Sequence, residues 1–189
     1  MKILFFDLET TGTNPGRHGI HQISGSIVID GEVKEEFNLF VQPNPKAQID
    51  SEALKVCNVT MEQIMSYPEM SVVYSKLIEI LSRHVDKYNK NDKMFLAGYN
   101  NSSFDNNFLR GFFLQNGDNY FGSWFWSNSI DVMVLATPHL CDIRNTMPDF
   151  KQATVAKFLD IEVKESLLHD ANYDLILCKE IYKKVCGKF

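Results

Sequence analysis

The chain has 189 residues, near the usual size of one domain, and its 44% hydrophobic and 23% charged residues are a globular composition that excludes disorder, collagen-like repeats and fibres. Nineteen Lys and Arg against twenty-four Asp and Glu leave a net charge of −5. No broad cationic field covers such a molecule, so any nucleic-acid contact has to be local or mediated by metal.

The first stretch, Met1-Lys2-Ile3-Leu4-Phe5-Phe6-Asp7, reaches an acid too soon for a secretory leader or a membrane span. The expectation is a soluble, cytoplasmic protein without membrane contact, forming one domain over residues 1–189 with no internal linker or repeat. Lys2 to Leu8 is an apolar run rich in aromatics, the pattern of a central strand covered on both faces. His21 to Ile29 and Glu32 to Val41 are β-rich and joined by Asp30-Gly31, a type I′ hairpin signal. Ser51 to Cys57 and Thr60 to Met65 read as short helices, the second opened by Thr60 with Gln63 three residues on. Val73, Leu77, Ile80, Leu81, Val85 and Tyr88 recur at helical spacing and predict an amphipathic crossover helix from Met70 to Tyr88. Lys93 to Tyr99 reads as a second buried strand, followed by a helix capped by Ser103 that runs to about Leu114 and ends near Gly117. Ser129 to Val132 is a short last strand, Asp149 to Leu159 a helix and Asp170 to Val185 the final helix. The class is α/β with a mixed sheet. Cys57, Cys141, Cys178 and Cys186 are scattered without a Cys-x-x-Cys pattern and are expected to be reduced core residues.

Several acids stand where acids are costly. Asp7 and Glu9 project from the same strand face, roughly 6 to 7 Å apart at about 3.3 Å per residue, and can share a ligand. Asp7 also shares parity with Ile3 and Phe5, at the mouth of a buried strand. Acceptance of N–H groups from the following Thr10-Thr11-Gly12 turn is the structural alternative for this pair. Asp105 lies in the first turn of a helix, where an acid is favoured by the macrodipole, yet it faces the C-terminal edge of a strand, where open α/β sheets place their sites. Asp174 interrupts an apolar stripe made by Ala171, Cys178, Ile181 and Val185, which points to a ligand or a buried pair. His169, five residues earlier, faces the same opening only if Asp170 caps the helix and His169 belongs to the loop before it. The alternative is an exposed loop histidine, the reading that His18, His21, His84 and His139 also take.

Asp7, Glu9, Asp105 and Asp174 are hard oxygen ligands, suited to Mg²⁺ or Mn²⁺ rather than zinc. Four carboxylates can hold two such ions about 3.5 to 4 Å apart, the clamp for in-line phosphoryl displacement, with a histidine to take the proton of the attacking water.

Asp7-Leu8-Glu9-Thr10-Thr11-Gly12, Asn101-Ser102-Ser103-Phe104-Asp105 and His169-Asp170-Ala171-Asn172-Tyr173-Asp174 resemble, in order, the three motifs of the DEDD exonuclease superfamily. His169 followed by Asp174 matches the DEDDh branch, which includes polymerase proofreading subunits, ribonuclease T and oligoribonuclease. The resemblance runs from Met1 to about Val185. It implies a ribonuclease H-like fold with a five-stranded mixed sheet flanked by helices, and 3′-to-5′ release of 5′-mononucleotides from single-stranded or frayed DNA ends. RNA ends are the alternative substrate, and a non-catalytic nucleic-acid-binding module is the alternative of another class. It further implies that Asp7 bridges two metal ions, that Glu9 and Asp174 complete one site, that Asp105 supports the other and that His169 is the general base. Thr10, Thr11 and Gly12 would meet the terminal nucleotide. Phe104 would pack on its base or sugar, or else fill the core with Phe108. Two departures stand near the implied substrate cleft: Asn100-Asn101 where relatives carry His-Asn, and Cys57-Asn58 where many carry His-Gly. The ending soon after the last helix implies no stable polymerase tether.

Overall fold

The computed structural model describes residues 1–187. Lys2–Thr10 forms β1, the middle strand of the sheet. Ile20–Ile29 (β2) and Glu32–Phe40 (β3) continue it on one side as an antiparallel meander. Their turn places Asp30 at φ 52° and Gly31 at φ 89°, the two positive φ angles that a type I′ turn needs. On the other side lie Phe95–Gly98 (β4), parallel to β1, and Ile130–Asp131 (β5), parallel to β4. The order β3-β2-β1-β4-β5 is the expected five-stranded mixed sheet.

Helices cover both faces because both faces of β1 are apolar. Leu4, Phe6 and Leu8 pack with side chains of α3 (Met70–Ser82) and α4 (Asp105–Gln115), while two short helices, α1 (Ser51–Val56) and α2 (Met61–Met65), precede α3. Thr60 and Gln63 close the expected capping box on α2. Four-residue α5 (Phe121–Trp124) adds Phe121 and Trp124 to the same cluster. Ile3 and Phe5 point to the opposite face, against α6 (Val132–Leu140), α7 (Gln152–Phe158) and α8 (Ala171–Cys186). Each fully buried phenylalanine or isoleucine of β1 contributes about 1.5 to 3 kcal/mol. Asp7 and Glu9 share parity with Ile3 and Phe5, so they face the layer of α8.

Several expectations are corrected. α3 ends at Ser82, and Tyr88 is exposed although Val85 beyond the helix is still buried. Apolar spacing continued past the helix because the turn after it also has a buried side. Ser103 does not cap α4: its hydroxyl turns back to the backbone and side-chain oxygens of Asn100, and Phe104 occupies the cap position without a side-chain bond. α7 starts at Gln152 because Asp149 accepts from the Lys151 N–H and holds a turn there. Helices α5 and α6 were not anticipated. α5 is a single turn, and α6 carries β-branched residues and Pro138, which weaken a helical signal. Of the four cysteines expected in the core, only Cys178 is buried; Cys57 and Cys186 are half-buried and Cys141 is exposed. Among the described residues, no helix is long and apolar enough to cross a membrane.

Candidate active site

β1 continues to Thr10, beyond the end of β4 at Gly98, so its last residues lie at an open sheet edge. Asp105 fills part of that gap: its carboxylate accepts from the Leu8 N–H and from its own backbone N–H, and it is only 6% exposed. Asp174 approaches from the opposite layer. Asp170 caps α8 by accepting from the Tyr173 N–H at 3.1 Å, which leaves His169 in the preceding loop, as the expected arrangement requires. His169 sits at φ 66°, a left-handed conformation that a histidine rarely adopts, and its backbone N–H donates to the Asp174 carboxylate at 3.0 Å.

Asp7, Glu9 and Asp174 bring ligand oxygens within 4.8 Å of one another. Asp105 lies outside that tight set and acts on Asp7 through its charge. Burial pushes the Asp7 carboxyl well above its ordinary value, and the charges of Asp105, Glu9, Asp174 and Asp170 add to the rise. Burial likewise lifts Glu9 to about 8, Asp105 to about 7 and Asp174 to about 6. Pulling the other way are backbone N–H donors at Asp105 and Asp174, the Cys57 thiol at Glu9 and the charge of His169 near Asp174. So many converging carboxylates raise one another's proton affinity, and a multivalent hard cation relieves that repulsion. The donor set therefore fits divalent metal.

The exonuclease family RNase_T matches residues 4–182. The chain belongs to this exonuclease family. With it the chain is a member of the DEDD superfamily of 3′-to-5′ exonucleases. It is 24% identical over 178 residues to the PolC-type DNA polymerase III of Mycoplasmopsis pulmonis, covering 94% of this chain and 11% of that protein. Among solved structures it resembles E. coli Exonuclease I bound to a dT13 oligonucleotide, with a TM-score of 0.78 and 20% identity over 99% of this chain and 41% of that one. The Exonuclease I complex with dA16 matches equally, at a TM-score of 0.78, 20% identity and the same 99% and 41% coverage. These likenesses place the fold in the ribonuclease H-like class. The chain spans less than half the length of each of these proteins.

Around these acids, the loop after β1 is tightly wired. The Thr10 hydroxyl donates to the Gly12 carbonyl at 2.8 Å. Thr11 is fully buried, its hydroxyl donating to the Gln48 carbonyl and accepting from the Gly19 N–H, so its side chain holds the loop. Gly12 is required by close approach: a Cβ there would lie 2.6 Å from the His18 ring. Phe104 is half-buried with its ring 4.9 Å from Phe108, the core-filling arrangement weighed above.

Four residues take places that the sequence reading did not give them. Cys57, expected to be a reduced core residue and noted above beside the implied cleft, donates its thiol to Glu9 at 2.9 Å. Gln22, opposite Glu9 in the β1–β2 ladder, donates to Asp170 at 3.2 Å. Asp131 at the end of β5 accepts from the N–H groups of Asn100, Ser102 and Met133, clamping the loop that leads to Asp105. His21, read as an exposed histidine, is 1% exposed in β2, and burial lowers its pKa to about 4. Alternation along β2, with its polar positions Gln22, Ser24 and Ser26 on the side chains' α8 face, was the available signal for Gln22.

Proposed function

We propose that the chain removes 5′-mononucleotides from the 3′ end of single-stranded DNA by metal-assisted hydrolysis. The carrying observation is that Asp7, Glu9 and Asp174, drawn from β1 and α8, converge within 4.8 Å beside the His169 loop. Asp7, Glu9 and Asp174 would hold one divalent ion, Mg²⁺ or Mn²⁺, with Asp7 shared toward a second ion supported by Asp105. Bound there, such ions supply Lewis acidity to the phosphoryl oxygens and charge compensation at the attacking and leaving oxygens.

The chain's own residues do the rest. His169, exposed at the rim, takes the proton of the attacking water while the bond from phosphorus to the 3′ oxygen of the penultimate nucleotide breaks. The N–H bond from His169 to Asp174 ties base and ligand into one unit. Thr10, Thr11 and Gly12 form the rigid floor under the terminal nucleotide, and Phe104 borders it. The single-stranded DNA reading draws support from the oligonucleotide complexes of Exonuclease I and from the PolC-type relative. A non-catalytic binding module would leave the costly convergence of buried acids without a purpose.

The test is digestion of end-labelled DNA and RNA oligomers of one sequence with Mg²⁺ or Mn²⁺, reading product length and end chemistry. Stepwise shortening of the DNA from its 3′ end with release of 5′-mononucleotides, stopped by EDTA, is expected. A strong preference for RNA would overturn the substrate, and uniform internal cutting or no cutting would overturn the reaction.

A further inference from the structure

Beside the nucleotide loop lies a polar concavity of about 400 Å³ lined by Gly16, Arg17, His18, Asn44, Lys46 and Gln115. It is built into the same framework as the acid site. The His18 ring covers Gly12, the Gln48 N–H donates to the Arg17 carbonyl at 2.7 Å, and Thr11 ties Gln48 and Gly19 together through its hydroxyl. The far wall is Gln115, at the last turn of the helix that Asp105 opens, about 15 Å along the helix axis from that acid. The concavity is thus joined to the acid cluster on two sides, through the loop after β1 and through α4.

Its charge is opposite to that of the acid cluster. Arg17 and Lys46 are exposed, and neither forms an ion pair among the described residues, whereas Lys55 nearby in sequence is paired with Glu52. His18 adds a donor: its Nδ1 accepts from the Asn14 N–H at 2.9 Å, so a neutral ring carries its proton on Nε2. Asn44 and Gln115 supply amides. A planar guanidinium, an ammonium and amide donors around one concavity suit a phosphodiester oxygen pair. The need is also evident. A chain with net charge −5 and converging carboxylates repels a polyanion wherever no cation intervenes, and screening at about 8 Å confines any remedy to nearby side chains.

We propose that this concavity binds a backbone phosphate of the nucleic-acid strand upstream of the bond being cut, with Arg17 and Lys46 as its principal contacts. The proposal rests on the exonuclease reading of the acid site and extends it to how the strand is held.

The experiment compares wild type with the double variant Arg17→Gln/Lys46→Gln on two substrates: a single-stranded DNA oligomer, and thymidine 5′-(p-nitrophenyl phosphate), which has the reacting phosphodiester and no upstream phosphate. The ratio of kcat/KM for oligomer over monomer is expected to fall about tenfold or more. The slope of log(kcat/KM) for the oligomer against log salt becomes shallower by about 1 to 2. Lys87→Gln/Lys90→Gln, with the same net charge change in the loop before β4, leaves that ratio unchanged. An unaltered ratio in the Arg17/Lys46 variant, or an equal fall in the Lys87/Lys90 control, overturns the proposal. Inactivity of the wild type on both substrates would instead overturn the exonuclease reading. Fluorescence anisotropy of labelled strand binding without turnover then still tests the concavity: equal affinity of wild type and double variant refutes it.

Discussion

The Cys57 thiol donates a 2.9 Å hydrogen bond to a carboxylate oxygen of Glu9. This contact fixes the carboxylate's rotation and opposes the rise in its proton affinity that burial causes. Cys57→Ala removes the donor, so protons compete better with metal at Glu9. The concentration of Mg²⁺ or Mn²⁺ giving half-maximal hydrolysis is expected to rise about tenfold, with Cys57→Ser restoring most of the loss. An unchanged metal titration curve in Cys57→Ala would remove Cys57 from the site's machinery.

The acid cluster also sets how the metal-free protein responds to pH. Unfolded, its carboxyls ionise near pH 4; folded, Asp174, Asp105 and Glu9 hold their protons up to about 6, 7 and 8. Between these values the folded state binds more protons than the unfolded one, so stability falls as pH rises. Thermal unfolding in EDTA should show Tm dropping from about pH 5 to 8, with Mn²⁺ raising Tm more at the upper end than at the lower. Asp7→Asn removes one of the repelling charges. It is expected to raise Tm in EDTA at pH 8, to lose the Mn²⁺-induced rise, and to abolish hydrolysis. A metal-free Tm that climbs across this range would contradict the cluster's electrostatics.

Much of this arrangement was legible because it is periodic or local. The parity of Asp7 with Ile3 and Phe5 showed which face it takes, and Asp174 stood out only because Ala171, Cys178 and Ile181 on its stripe are apolar and indeed buried. The Asp170 cap was readable because capping is decided within one helical turn. What was hidden depends on contacts between distant segments. Cys57 reaches Glu9 across 48 positions of sequence and Gln22 reaches Asp170 across 148, and no local pattern encodes either. Boundaries failed where side chains found backbone partners other than the helix, as Ser103 does with Asn100.

His21 gives the acid side of the stability profile. Burial lowers its pKa to about 4, from an ordinary value near 6.5, and neither ring nitrogen has a partner among the described residues. Below pH 6.5 the unfolded chain takes up a proton that the folded state refuses until about 4, so stability is fully present above that window and is lost as pH falls through it. His21→Leu is expected to flatten this acid limb. It should also raise Tm at neutral pH, because an unpartnered buried polar group costs about 1 to 3 kcal/mol. Denaturant titrations of both proteins between pH 4 and 7 measure the effect, and parallel acid limbs would refute it.

Gln22 ties the sheet to the turn that carries His169. Gln22 is 4% exposed, and its amide donates to Asn38 at 3.0 Å and to one oxygen of Asp170 at 3.2 Å. The other Asp170 oxygen caps α8, and the next residue back, His169, bonds through its N–H to Asp174. Gln22 thus anchors the His169-Asp170 turn to the strand that neighbours Glu9. Gln22→Leu keeps the bulk and removes the donors, so the turn loosens and kcat should fall about tenfold with KM nearly unchanged, as small misplacements of reacting groups do. His169→Ala alone should lower kcat by about two to four orders of magnitude. If Gln22 acts by holding His169, the double variant loses little beyond His169→Ala, a non-additivity that a purely structural role would not produce. Four kcat measurements close the cycle, and additive losses would show that Gln22 supports the fold without positioning the base.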